Sequence, residues 1–183
     1  GKTTLMHTLI ALAGEAQIAT LYLDARNLEP TPESFLNALQ MLLALQPDVS
    51  PIQTLAERSE RLVIFLDTYE LIAPLDHWLS STFLPQLSDN ILIVIAGRRP
   101  LSHAWQADPG WRSLIRVAPL RNLSPDESIA YLHKAQVPAE QYERILTFTH
   151  GHPLALSLVA DMFAQRQDVS FQPESTPDII RVL

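Results

Sequence analysis

The chain is 183 residues long, with 47% apolar residues, a formal net charge of -7 and no cysteine. This length can bury the core of one domain, or of a domain with a small appendage, and the apolar content excludes disorder. The acidic balance excludes a basic footprint for nucleic acid or an anionic membrane, and the lack of cysteine excludes disulfides and thiolate metal sites and fits a reducing compartment.

The first stretch, Gly1-Lys2-Thr3-Thr4-Leu5, matches the second half of the phosphate-binding pattern G-x-x-x-x-G-K-[ST]. Glycine lets backbone N–H groups approach phosphate oxygens. The lysine of the pattern reaches the β- and γ-phosphates, and the hydroxyl ligates Mg²⁺. A helix over 2–13 would point its positive end at the same anion, with Leu5, Leu9 and Leu12 toward the core. A surface turn with a helix cap is the other reading of these residues. The full pattern has a strand and further loop residues ahead of it, so the expectation is a fragment lacking a strand.

Ile18 to Leu23 reads as a short strand ending at Asp24-Ala25-Arg26. Thr31-Pro32-Glu33 has the cap, the proline and the acid of a helix start. Phe35, Leu36, Leu39, Leu42, Leu43 and Leu45 give that helix its apolar face. Ser50-Pro51-Ile52-Gln53 has the form of a capping box. Arg61 to Asp67 is an apolar run ending in a carboxylate, the pattern of a buried parallel strand whose carboxyl end meets a ligand. It matches a Walker B strand, with Asp67 holding Mg²⁺ through water; a plain helix cap is the alternative.

Tyr69 to Leu87 is predicted helical, kinked or split at Pro74 and Pro85, with Leu71, Leu75, Trp78, Leu79, Phe83 and Leu84 inward. Ile91 to Ala96 is a third strand, ending in Gly97-Arg98-Arg99-Pro100. A short helix over 101–107, a turn at Asp108-Pro109-Gly110 and a last strand from Leu114 to Val117 are expected next. Ser124-Pro125-Asp126-Glu127 then opens a strandless stretch of helices at about 125–135 and 138–149. Gly151 stops the second of these, and Pro153 starts a third helix, 154–163, apolar nearly all round. The six histidines lack metal-ligand spacing, and Trp78, Trp105 and Trp111 read as core. Strands alternating with helices predict an α/β parallel sheet over 1–120, a helical lid over 121–166 and a polar tail over 167–183.

Gly-Lys-Thr-Thr-Leu, Leu-Val-Ile-Phe-Leu-Asp-Thr-Tyr-Glu, Ile-Val-Ile-Ala-Gly-Arg-Arg, Leu-Arg-Asn-Leu-Ser-Pro-Asp-Glu and Gly-His-Pro-Leu-Ala-Leu occur in this order. The series resembles the STAND-type signal-transduction ATPases, the P-loop group that includes NB-ARC domains and bacterial LuxR-type regulators, from Gly1 to about Ala164. The resemblance implies a P-loop sheet of the AAA+/STAND kind with a helical lid, and a cytoplasmic ATP-binding switch with Mg²⁺. Such a switch hydrolyses ATP slowly and controls homo-oligomerisation or a downstream effector such as a transcriptional regulator. Gly1, Lys2, Thr3 and Thr4 would bind the nucleotide, and Thr3 and Asp67 the metal. Arg98, with Arg99 as alternative, would sense the γ-phosphate, or else be a solvated loop charge. Pro153 would pack on adenine, or simply turn the chain between two helices.

Thr68 stands where fast P-loop ATPases often carry a water-orienting glutamate. Glu70 would reach the site in its place, or only complement a helix dipole. A small-molecule phosphotransferase is the alternative function, with Asp24 and Arg26 as its acid/base candidates.

Overall fold

The computed structural model describes residues 1–165. The predicted tail and the last residue of the predicted lid, Arg166, lie outside them. Two compact units divide at Val117/Ala118.

The first unit is α/β. Helix α1 (Lys2–Glu15) leads into strand β1 (Ala19–Asp24), followed by α2 (Pro32–Leu42), α3 (Pro51–Ala56), strand β2 (Leu62–Asp67) and strand β3 (Ile91–Ile95). The three strands are parallel, in the order β1-β2-β3, with Asp24 in register with Asp67 at the carboxyl edge. Central β2 is the most buried, as an uninterrupted apolar run in a parallel sheet should be.

On one face of the sheet, Leu23, Ile64 and Leu66 pack with Phe35 and Leu39 of α2, Leu55 of α3 and Phe83. Phe35 sits edge-on to both Trp78 and Phe83. On α2 the predicted cap forms, Thr31 Oγ1 accepting from the Ser34 N–H at 3.2 Å. On α3 only half of the box is made: Ser50 Oγ accepts from Gln53 N–H at 3.4 Å, while the Gln53 side chain turns forward to Glu57.

Between β2 and β3 the chain is split as its prolines require. It runs through 3₁₀ turns at Tyr69–Leu71 and Ala73–Leu75, the short α4 (Asp76–Trp78), a π turn at Leu79–Phe83 and a 3₁₀ turn at Leu84–Gln86. The 3₁₀ start shifts the helical phase. Ile72 is buried and Leu71, predicted inward, is 48% exposed.

Two further expectations fail. Leu5, Leu9 and Leu12 are all at least 36% exposed, and Met6 is the buried residue of α1. The helix lies against β1 and β2, so Met6 faces the sheet while the leucine stripe at i, i+4 and i+7 is turned away from it. The predicted strand Leu114–Val117 does not form. Asp108 Oδ1 accepts from the Gly110 and Trp111 N–H groups, Pro109 sits in the first turn, and the capped segment runs as α6 (Pro109–Leu114) after α5 (His103–Ala107). Leu114 is consumed by the last turn of α6, and Val117 is exposed with no strand beside it.

The second unit holds α7 (Pro125–Lys134), α8 (Tyr142–Thr149) and α9 (Pro153–Gln165) around Leu132, Ile145, Leu156 and Val159. The capping box of α7 is complete in both directions. Helix α8 ends at Thr149, as predicted: His150 is its C-cap with a left-handed φ of 47°, and Gly151 follows in the glycine position at 73°. Gly151 is also a close approach: a Cβ there would lie 2.1 Å from the Leu123 carbonyl oxygen.

Candidate functional site

The carboxyl edge of the sheet gathers the chemistry, as open parallel sheets do. Thr3 lies in the first turn of α1 and Asp67 is the last residue of β2. The Thr3 hydroxyl donates to Asp67 Oδ2 at 2.7 Å across 64 residues of sequence. Asp67 is 3% exposed. Its other oxygen, Oδ1, accepts from the Thr68 N–H at 2.7 Å. Thr68 holds a left-handed φ of 56°. That is an outlier for a β-branched residue and costs about 1–3 kcal/mol. The strain sits next to the most buried carboxylate of the edge, where it aims the Thr68 N–H back at Asp67.

Sequence reasoning missed Tyr22. It stands two residues before the end of β1, beside Phe65 of β2, and its hydroxyl donates to Asp67 Oδ2 at 2.9 Å. Asp67 Oδ2 therefore receives two O–H groups. Burial, then the hydrogen bond and charge of Asp67, push the Tyr22 hydroxyl up to about 12. His7 of α1 lies against its ring at 5.2 Å. The available signal was a polar aromatic in an otherwise apolar strand, at the same strand position, two before the aspartate, as Phe65 in β2.

Lys2 and Thr4 are exposed on the first turn of α1 beside Thr3, and Lys2 forms no ion pair among the described residues. Gly1 precedes that turn. Arg98 leaves the sheet three residues beyond β3. Its side chain is 86% exposed and stands 3.5 Å from Glu70. Glu70 also accepts from the Arg98 backbone N–H at 3.1 Å. Glu70 thus holds the loop after β3, a role neither sequence reading gave it. Gly97 fits this clasp because a Cβ there would come within 3.2 Å of Glu70 Oε2. The same loop is tied twice more. Ala96 C=O accepts from the Tyr69 N–H, and Asp76, which accepts from the Tyr69 hydroxyl, also accepts from the Ser102 N–H. Arg99 forms no ion pair among the described residues.

Asp24 and Arg26 satisfy each other. The guanidinium donates through Nε and Nη2, the closest contact being 2.6 Å, and holds the Asp24 carboxyl below the usual carboxylate range. Pro153 begins α9 in the second unit, and its contact with adenine stays an expectation of the resemblance.

One hydroxyl and one buried carboxylate, 2.7 Å apart, suit a small hard cation that keeps most of its waters and takes further oxygens from phosphate. No cluster of three or more His, Asp or Glu able to hold a metal occurs among the described residues, so the protein's share of such a shell would be these two groups. No protein-family model and no curated protein matches the chain. No helix of the described residues is long and apolar enough to cross a membrane.

Proposed function

We propose that the first unit is a P-loop nucleotide-binding core that takes Mg-ATP at the carboxyl edge of its sheet and serves as a slow regulatory switch. The observation that carries this reading is the Thr3–Asp67 hydrogen bond. Residues matching two separate phosphate-site motifs, far apart in sequence, converge on one point beside the N-terminus of α1. There the helix dipole and Lys2 favour a polyphosphate.

In this reading Lys2 neutralises the β/γ-phosphates, and Thr3 and Asp67 orient Mg²⁺, the latter through water. Thr4 adds contacts on the same turn. The metal supplies charge neutralisation on the phosphates. Tyr22 keeps Asp67 pointed at Thr3. Arg98, released from Glu70, answers the γ-phosphate. Slow turnover follows from Thr68 in the place of a water-orienting acid, and from Glu70 being engaged with the loop. The switch would report the nucleotide to a second copy or to an effector.

A phosphotransferase fits less well. Asp24 would be its base, and a carboxylate clamped by a guanidinium is a weak one.

Calorimetric titration of the chain with Mg-ATP tests the proposal. Lys2→Ala should weaken binding at least tenfold. Asp67→Asn should weaken it in Mg²⁺ far more than in EDTA. Equal affinity in Lys2→Ala and the parent would remove the P-loop reading.

A further inference from the structure

Beyond the sheet edge, a cleft of about 570 Å³ opens between the end of β1 and helix α2. That volume lies in the range of small-molecule sites. Its lining mixes apolar and acidic side chains with the neutral polar Tyr22, Asn27, Thr31, Ser34 and Asn37. Leu28, Met41 and Leu42 line it, and Met41 is 76% exposed. Glu29 and Glu33 also line it, and neither forms an ion pair among the described residues. The third acid, Asp24, is already answered by Arg26. Among the described residues, no lysine, arginine or histidine lines the cleft.

We propose that this cleft binds an organic amine, a cationic nitrogen carried on an apolar body. The apolar side chains would cover the body, and Glu29 and Glu33 would take the ammonium by charge-assisted hydrogen bonds. An anion of the same shape meets two carboxylates, of which only Glu33 is offset by the positive end of α2, and is disfavoured. The cleft is also wired to the sheet edge. Tyr22 lines it and donates to Asp67. An occupant that shifts the tyrosine ring therefore alters the support of Asp67, which fits an input site for a small-molecule signal. The binding itself does not depend on the nucleotide reading, and its test uses no nucleotide.

Heteronuclear NMR of the chain would be titrated with phenethylamine, phenylethanol and phenylpropionate. The amine should give saturable shifts centred on the Met41 methyl and the amides of 27–42, the alcohol weaker ones, and the carboxylate none. The double variant Glu29→Gln/Glu33→Gln, at two exposed positions that leave the core intact, should weaken the amine roughly three- to tenfold, the worth of two exposed ion pairs. In Tyr22→Phe, at amine concentrations that saturate the Met41 shift, the accompanying shift of the Thr68 amide, which reports on Asp67, should be lost. Equal binding of amine and carboxylate, shifts centred elsewhere, or no saturation would overturn the site. A Thr68 response that persists in Tyr22→Phe would overturn the coupling.

Discussion

Asp67 draws together three residues from different parts of the first unit, taking Thr3, Tyr22 and Thr68 on its two oxygens. Two consequences are measurable at this scale. The Tyr22 hydroxyl, raised from 10.0 to about 12, is worth more to the folded chain in its neutral form. Its contribution is complete below pH 10 and is lost as pH rises through about 12. Ultraviolet titration should show two late tyrosines, Tyr22 near 12 and Tyr69, raised by burial and its bond to Asp76, later still. Asp67→Asn should bring Tyr22 down only part of the way, because burial, the largest cause, remains. The second consequence concerns Arg98, whose pairing with Glu70 is long and exposed and therefore weak. On the proposed reading, Arg98→Ala should lower affinity for ATP and leave that for ADP nearly unchanged, since the γ-phosphate is its only assigned contact. Equal losses for both nucleotides in competition binding would refute that role.

Among elements, helix starts were the easiest to read, and their energetics are local. Ser124 and Glu127 exchange two hydrogen bonds at the start of α7, and Arg121 adds an ion pair to Glu127 at 2.6 Å. Together they hold the Glu127 carboxyl down at about 2. A depressed acid stabilises above its unfolded value of 4.5, and that contribution fades as pH falls toward 2. Ser124→Ala should cost about 1 kcal/mol in denaturant unfolding. The turn between α8 and α9 is less forgiving. Gly151→Ala meets a positive φ and a backbone oxygen at 2.1 Å at once, so it should cost more than about 3 kcal/mol, the combined scale of backbone strain and overpacking. A loss no larger than that of Ser124→Ala would show that the turn yields easily.

For the whole molecule, burial separates two kinds of leucine-rich surface. The packed face of the sheet is closed, and Phe35→Ala at its centre should cost about 3–5 kcal/mol. The outward stripe of α1 and Leu92 of β3, 59% exposed, are open. Among the described residues no strand pairs with the outer edge of β3, and such an edge is the sort of surface that recruits other chains. Leu9→Lys and Leu92→Lys should change the unfolding free energy by only about 0.5 kcal/mol. They should shift the chain toward monomer in light scattering. An unaltered mass distribution would mean that neither surface drives association.

Local chemistry alone determined where α2, α3 and α7 begin and where β2 ends. Cap residues followed by proline at Thr31, Ser50 and Ser124, and the apolar run into Asp67, each carry their instruction within a few residues. The meeting of Thr3 with Asp67 was also legible, because the reading of each motif assigned its residue to one shared metal position. Tertiary structure alone decided the rest. Which side of α1 is buried depends on the strands beneath it, so Met6 and not the leucine stripe turned inward. Leu114–Val117 has strand-like residues, but a strand exists only by pairing, and a capped helix claimed its first residue. Tyr22 joined the site, and Glu70 the β3 loop, through contacts of 45 and 28 residues' separation that no local pattern encodes.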